Sequence, residues 1–228
     1  MPFLDLADRV REVRERIDAA VRRGGHGQTV TLVAVTKTHG PDALQAAWDT
    51  GLRDIGENKV QEAMEKMDVL PLPFRWHLIG HLQRNKVKNL SRFHLLHALD
   101  RPALADAVNT FAGASERVID ALVQVNVAGE DTKGGYPPSD LPAEAARLRG
   151  LRGIRVRGVM TMAPFDADES VLRRVFQGAR AAREELRAGG HPEASELSMG
   201  MSDDYEIAVE EGATMVRLGT VLFGARTR

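Results

Sequence analysis

The strongest constraint on how this chain folds is a repeated alternation of short apolar runs with longer stretches of helical periodicity. A leading amphipathic segment carries Leu6, Val10, Val13, Ile17 and Val21 on one face and is stopped by Gly24-Gly25-His26-Gly27. Apolar runs expected as strands follow at Thr31 to Lys37, Leu52 to Gly56, Phe74 to Ile79 and Phe93 to Leu99. Four more come at Val118 to Val127 (the longest), Ile154 to Met162, Glu196 to Met199 and Thr214 to Leu218. Between them lie a stripe of Ala43, Leu44, Ala47 and Trp48, a helix from Lys59 to Leu70, and a basic helix from Gln83. Further helices are expected from Asp100 or Arg101 toward Phe111, after Pro137-Pro138-Ser139-Asp140, at Glu169 to Leu186 and at Asp203 to Glu211. About eight strand–helix units with short connections, no linker and no low-complexity segment predict an α/β fold. The form expected is a (β/α)8 TIM barrel with an extra N-terminal helix, one domain over residues 1–228, with that helix outside the barrel or across its bottom. An open doubly wound sheet is the runner-up. Its glycine fingerprint is missing, however, since Lys37-Thr38-His39-Gly40 follows the first strand.

A parallel barrel carries its chemistry at the carboxyl ends of its strands. The first strand, Thr31-Leu32-Val33-Ala34-Val35-Thr36-Lys37, is apolar without alternation, as a strand buried on both faces reads, and it ends on an amine. Desolvation at such a mouth lowers a lysine pKa and makes Lys37 a candidate nucleophile or Schiff-base former. A lysine that snorkels from a strand end to solvent is the competing reading.

Phosphate in such barrels is often held by the loops after strands seven and eight. Here those loops are Ser198-Met199-Gly200-Met201-Ser202-Asp203 and Gly219-Thr220, each pairing a hydroxyl residue with a glycine that lets backbone amides wrap an anion. Taken singly they read as tight turns, with Ser202 as a helix cap. Closure joins them: strand eight pairs with strand one, so Arg217 and Gly219-Thr220 become neighbours of Lys37. A lysine beside a phosphate cradle and an arginine suits a phosphorylated carbonyl compound held as a Schiff base, of which pyridoxal 5'-phosphate is the commonest cofactor.

Other motifs carry less. His77 and His81 have i, i+4 spacing but straddle a strand end, and no Glu follows His77. His94 and His97 stand on one strand at a separation that lets at most one face the interior. The basic run Arg84, Lys86, Lys88 and Arg92 lacks aromatics for base stacking. Asp166, Asp168 and Glu169 read as a polar loop and helix start. The chain has no cysteine, which removes thiolate catalysis and thiolate metal sites, and a net charge of -1, which gives no pull toward nucleic acid or an anionic membrane. Met1 to Val21 lacks the apolar core of a signal peptide, and no run approaches the roughly 18 apolar residues of a membrane span, so the cytoplasm is the expected location.

Ala34-Val35-Thr36-Lys37, Ile55-Gly56-Glu57-Asn58, Trp76-His77-Leu78-Ile79-Gly80, Leu82-Gln83-Arg84-Asn85-Lys86, Leu197 to Asp203, and Val216 to Thr220 before Leu222-Phe223-Gly224 occur in order over nearly the whole chain. Together they resemble the pyridoxal phosphate homeostasis proteins, single-domain relatives of the alanine racemase barrel and so fold type III pyridoxal-phosphate proteins. The resemblance implies that Lys37 carries pyridoxal phosphate as an internal aldimine and that Arg217 faces the pyridine nitrogen. It implies a phosphate held by Ser198, Met199, Gly219 and Thr220, with Asn58 near the ring. Lys59 departs from the tyrosine that often follows Gly-Glu-Asn. Asp131-Thr132-Lys133-Gly134-Gly135 approximates the family's Lys-x-Gly loop, which would put Lys133 near the mouth.

Two functions compete on this reading: an amino-acid racemase, and a carrier that holds pyridoxal phosphate for vitamin B6 homeostasis without turnover. Racemisation needs a proton donor on each face of the substrate carbon, and Lys37 supplies one. Barrel racemases resembling this one take the other from a tyrosine of a second domain, for which no residues are left. The only tyrosines are Tyr136 and Tyr205. The expectation is therefore a non-catalytic monomer, with pyridoxal-phosphate-dependent apo-enzymes as recipients and neither nucleic acid nor membrane as partner.

Overall fold

The computed structural model describes residues 3–130 and 133–224. Helix α1 (Leu6–Gly24) leads into strand β1 (Thr31–Val35) and helix α2 (Pro41–Asp49). Then come β2 (Asp54–Glu57), α3 (Val60–Val69), β3 (Arg75–Leu78), β4 (Leu95–Leu99), α4 (Pro102–Ala114) and β5 (Ile119–Gln124). The series ends with α5 (Leu141–Arg149), β6 (Ile154–Met160), α6 (Glu169–Ala188), β7 (Glu196–Ser198), α7 (Tyr205–Glu210), β8 (Met215–Leu218) and the single turn α8 (Thr220–Phe223). The strands pair in parallel in chain order and close, β8 against β1, into the expected eight-stranded barrel.

Closure follows from the burial pattern. All eight strands are buried almost end to end, which only a sheet covered by helices outside and packed with side chains inside allows. Even-numbered residues of β1, Leu32 and Ala34, join the large core under the helices. A separate cluster of Leu95, Ala98, Leu122, Met160 and Met215 forms a smaller apolar core. Helix α1 lies outside the barrel, packed on α7 and α8 through Leu6, Val10, Val13, Ile17 and Ala20. Arg16 and Arg23 pin it to Glu206 and Glu210. Its glycine stop is as expected: Gly25 is left-handed, and its amide closes on Val21 O.

The sequence placed elements well and their ends less well. β1 stops at Val35, so Lys37 lies in the turn beyond it, held by Thr36 N–H donating to Gly56 O at 3.3 Å. The basic run forms a 3-10 segment, Arg84–Arg92, burying only Val87 and Leu90. The longest strand is β6, at seven residues, and not β5. Ser202 does not cap α7, which begins at Tyr205 after Asp204; its hydroxyl accepts instead from Val221 N–H in the first turn of α8. Asp168 does cap its helix: its carboxylate accepts from Val171 N–H at 2.9 Å at the start of α6.

Gly158 marks where β6 and β7 approach most closely, since a Cβ there would sit 1.9 Å from Glu196 O and φ is +151°. Gly158→Ala is therefore expected to cost about 2–3 kcal/mol, through a bent strand and a repacked pair. Urea unfolding would measure it; an unchanged midpoint would mean that the strands part freely.

Candidate functional site

Lys37 is set in place by what grips the residues on either side of it. Thr36 is fully buried; its hydroxyl donates to Glu57 Oε1 at 2.6 Å, and its carbonyl accepts from Lys66 Nζ at 2.7 Å. Thr38, in a left-handed conformation with φ +69°, donates its amide to Glu62 Oε1 at 2.6 Å. Lys66 Nζ also donates to Glu57 Oε1 at 2.7 Å and Glu62 Oε1 at 2.8 Å. One buried ammonium thus ties the end of β1 to the end of β2 and to α3, with the Lys37 turn between its anchor points. Burial pushes the Glu57 carboxyl up against the pull of Lys66 and Thr36. Its second oxygen is buried without a hydrogen-bond partner among the described residues. Lys37 itself is half-buried. A Cβ on Gly56 would meet Val33 Cγ1 and Val35 Cγ2, so these odd positions of β1 share one face, and Lys37 follows them in the turn beyond the strand.

Strand β8 brings Arg217 alongside, with Val33 opposite Arg217 and Ala34 opposite Leu218. Arg217 is 5% exposed and forms no salt bridge among the described residues. Its guanidinium donates from Nη1 to Ser198 Oγ at 2.7 Å and from Nη2 to Thr161 O at 2.9 Å. Burial lowers its pKa to about 10, against the pull of Asp204, so it is cationic at neutral pH. A buried, unpaired cation is costly unless something with a lone pair or negative charge comes to it.

The loops after β7 and β8 meet as expected. Arg217 N–H donates to Gly200 O at 3.0 Å, and Val221 N–H donates to Ser202 Oγ at 3.3 Å. The four residues expected to hold phosphate differ in what they have to give. Ser198 is fully buried and its hydroxyl lies between Arg217 and His97 Nδ1, 2.8 Å away; Met199 spends its amide on Met215 O at 3.1 Å. The amides of Gly219 and Thr220, and that of Ser202, have no acceptor among the described residues. All three lie in the two loops that the Val221–Ser202 bond joins, and backbone amides without an acceptor are the groups that bind oxyanions. Met201 N–H is already taken, by Asp204 Oδ1 at 2.6 Å, and burial pushes the Asp204 carboxyl up.

Asn58 follows β2 directly and is half-buried. A Cβ on Gly80 would lie 2.3 Å from Asn58 O, so the turns after β2 and β3 touch. Lys59 is exposed and precedes α3. Lys133 donates to Glu130 and to Ala163 O at 2.8 Å, at the edge of a cleft of about 360 Å³ that Met162, Phe165, Met201 and Asp204 also line. Asp131 and Thr132, which precede it in the Lys-x-Gly-like loop, lie outside the described residues. Tyr136 OH donates to Glu144 Oε1 at 2.7 Å on α5, and the Tyr205 ring faces Arg16 of α1. The histidines divide as the strand period and the strand ends imply. His77 and His97 share the barrel interior, His94 is exposed ahead of β4 with its ring edge-on to His77, and His81 pairs with Asp100 on the loop after β3.

Several contributors were invisible as such in the sequence. Glu57 stood inside a quoted motif without a role, Ser202 read as a helix cap, and Lys66 and Glu62 lay unremarked within the expected helix from Lys59 to Leu70. An acid at i and a lysine at i+4 on α3 was the one available signal.

The chain matches the family "Alanine racemase, N-terminal domain" over residues 9–227. A pyridoxal phosphate homeostasis protein of Aquifex aeolicus is 41% identical over 226 residues, covering 98% of this chain and 99% of its own. PipY of Synechococcus elongatus PCC7942, solved with PLP bound, is 36% identical with a TM-score of 0.85, over 96% of this chain and all of PipY's (100%). Alanine racemase from Corynebacterium glutamicum, 17% identical with a TM-score of 0.72 over 94% of this chain and 62% of its own, shares the fold.

Proposed function

This chain belongs to the pyridoxal phosphate homeostasis proteins of the alanine racemase N-terminal domain family, and from that premise we propose that it binds pyridoxal 5'-phosphate on Lys37 as a carrier without turnover. The observation that carries the site is Arg217, a guanidinium 5% exposed and in no ion pair among the described residues, on the strand paired with the one leading to Lys37. The bound cofactor supplies an aldehyde that a neutral amine traps reversibly as a Schiff base. Everything else falls to the chain's own groups. Arg217 directs an N–H at the ring nitrogen. The Ser202, Gly219 and Thr220 amides take the phosphate oxygens, with Ser198 and Met199 behind them, and Asn58 borders the ring. The Glu57–Lys66–Glu62 clamp keeps the Lys37 turn from swinging to solvent.

The carrier reading rests on what surrounds Lys37. A second proton donor across from it is what racemisation requires. Tyr136 is turned away to Glu144, and burial with that contact pushes its hydroxyl far above the ordinary tyrosine range. Tyr205 lies on the outer side, toward α1. An arginine facing the ring nitrogen also leaves it a weak electron sink. Apo-enzymes that use the same cofactor are the recipients in this reading, supplied in the cytoplasm by a monomer. None of the described helices is long and apolar enough to cross a membrane.

Borohydride reduction of the yellow, loaded protein followed by peptide mass mapping is expected to place the adduct on Lys37. An adduct on Lys59 or Lys133, or none, removes the site assignment. Incubation of stoichiometric loaded protein with single L-amino acids in deuterated water is expected to leave the α-proton in place; rapid exchange with racemisation would make the protein an enzyme.

A further inference from the structure

A continuous row of buried polar groups crosses the barrel interior behind Arg217. Ser198 Oγ lies 2.8 Å from His97 Nδ1, and His97 Nε2 lies 2.9 Å from His77 Nδ1. His77 Nε2 lies 3.0 Å from Asp54 Oδ1, and Asp54 ends the row in a two-point pair with Arg75. His77 is 1% exposed, while His97 and Ser198 are fully buried. Arg75 reaches solvent at the opposite end of the barrel, with a side chain 55% exposed, beside a cavity of about 380 Å³ bordered by Asp54 and α1.

Donor and acceptor counting allows one arrangement that satisfies every member. Asp54, ionised between Arg75 and His77, only accepts, so His77 Nε2 carries a proton and its Nδ1 accepts. His97 Nε2 must then be the donor to His77, which leaves His97 Nδ1 an acceptor. Ser198 O–H donates to that nitrogen, and its oxygen accepts from Arg217 Nη1. All hydrogens therefore point the same way, from Arg217 through Ser198, His97 and His77 to Asp54. Each bond polarises the next in a water-free interior. Burial works against the Asp54 carboxyl, yet Arg75 and His77 hold it at about 2, and burial with the neighbouring charges keeps His97 well below the usual histidine range. The charged or titratable groups facing the pair are Asp54, Arg75, His94 and Arg217. An apolar filling would keep the barrel closed without the desolvation cost of five polar side chains, so a role beyond packing is called for.

We infer that Asp54, His77, His97 and Ser198 form a one-way hydrogen-bonded relay that orients Arg217 as donor to the cofactor's ring nitrogen. These four are positioning residues, since none of them touches the cofactor in this arrangement. With Nη1 and Nη2 engaged by Ser198 and Thr161, the guanidinium plane is fixed, and with it the directions of the three N–H bonds that remain. The relay rests on the proposed placement of the ring beside Arg217, and its test separates the two.

Long-range 15N–1H correlation spectra of the full-length protein without cofactor read the histidine tautomers directly. In the neutral form both His77 and His97 are expected to carry the proton on Nε2. An Nδ1–H form at either residue overturns the relay. Ser198→Ala removes the hydroxyl between His97 and Arg217, so His97 is expected to lose its single tautomer. In the same variant the pyridoxal 5'-phosphate dissociation constant is expected to rise about tenfold, equal to ~1.4 kcal/mol. Ser198→Thr, which keeps the hydroxyl, restores both readouts. Asp54→Leu, at the far end, is expected to scramble both tautomers and weaken binding similarly; should it fail to fold, the Ser198 pair still decides. Unchanged His97 signals and affinity in Ser198→Ala overturn the relay. Failure of the wild-type protein to bind pyridoxal 5'-phosphate at all overturns the cofactor reading, while the spectra of the unloaded protein still stand or fall on their own.

Discussion

Lys66→Met is expected to destabilise the barrel by about 3–5 kcal/mol at neutral pH, the usual cost of removing one partner of a buried ion pair. Lys66 is 6% exposed and Glu57 is fully buried. Without the ammonium, Glu57 keeps only the Thr36 hydroxyl, and its unpartnered oxygen gains nothing. The carboxylate must then ionise in an apolar setting or take up a proton. Its folded-state pKa, already raised by burial, rises further when Lys66 goes. A group with a raised folded pKa contributes stability below its unfolded value and loses it as pH climbs through the folded one. The penalty of Lys66→Met is therefore expected to be largest at pH 8 and to shrink toward pH 4. Denaturant unfolding at both pH values measures this, and a penalty independent of pH would mean that Glu57 is not the group left stranded. Glu57→Gln combined with Lys66→Met is expected to recover most of the loss, because a neutral pair has no charge to strand. The double variant still lacks the donor to Thr36 O, so the Lys37 turn is expected to hold the cofactor less tightly even where the fold is restored.

That contrast shows where the sequence was legible. A strand covered on both faces reads as an apolar run, so the order of the eight strands, their spacing and the closure beside Lys37 could be read from composition along the chain. Arg217 followed from closure alone, because the strand that carries it must pair with the first. The interior was not legible in the same way. His77, His97 and Ser198 come from three different strands, and only the period of two along each strand, combined with the register between strands, makes their side chains meet. Ser198 is the last residue of its strand and lies in the row behind Arg217, whereas Ser202 stands in the loop beyond it, where its hydroxyl accepts from Val221 N–H. His94 and His97 looked like alternatives for one interior position. His94 stands ahead of β4 and is exposed, while His97 within the strand is buried, and both rings approach His77. Lys66 was hidden for another reason: on helix periodicity alone, a lysine four residues after an acid is a surface pair, and only the packing of α3 against the ends of β1 and β2 buries it.

Arg217→Glu is expected to weaken pyridoxal 5'-phosphate binding by on the order of 100-fold or more, through a lost charge-assisted hydrogen bond and a new repulsion. The position is enclosed, and what surrounds it is arranged for a donor: Ser198 Oγ and Thr161 O both accept from Arg217. A carboxylate there meets the Thr161 carbonyl and the nearby Asp204 carboxyl, itself pushed up by burial and relieved by Arg217. It also offers no N–H to a pyridine nitrogen and repels the cofactor phosphate. Arg217→Lys separates charge from geometry, because an ammonium keeps the positive charge but not the planar fork that engages Ser198 and Thr161 while still presenting an N–H. An intermediate loss for Arg217→Lys, nearer tenfold, is expected in absorbance titrations that also follow the band of bound cofactor. If Arg217→Lys binds as tightly as the native protein, net charge is all that the position supplies, and the fixed plane imposed by Ser198 and Thr161 has no bearing on the ring. If Arg217→Glu binds normally, the ring nitrogen lies elsewhere and the site proposed at Lys37 makes no use of the strand that closes the barrel beside it.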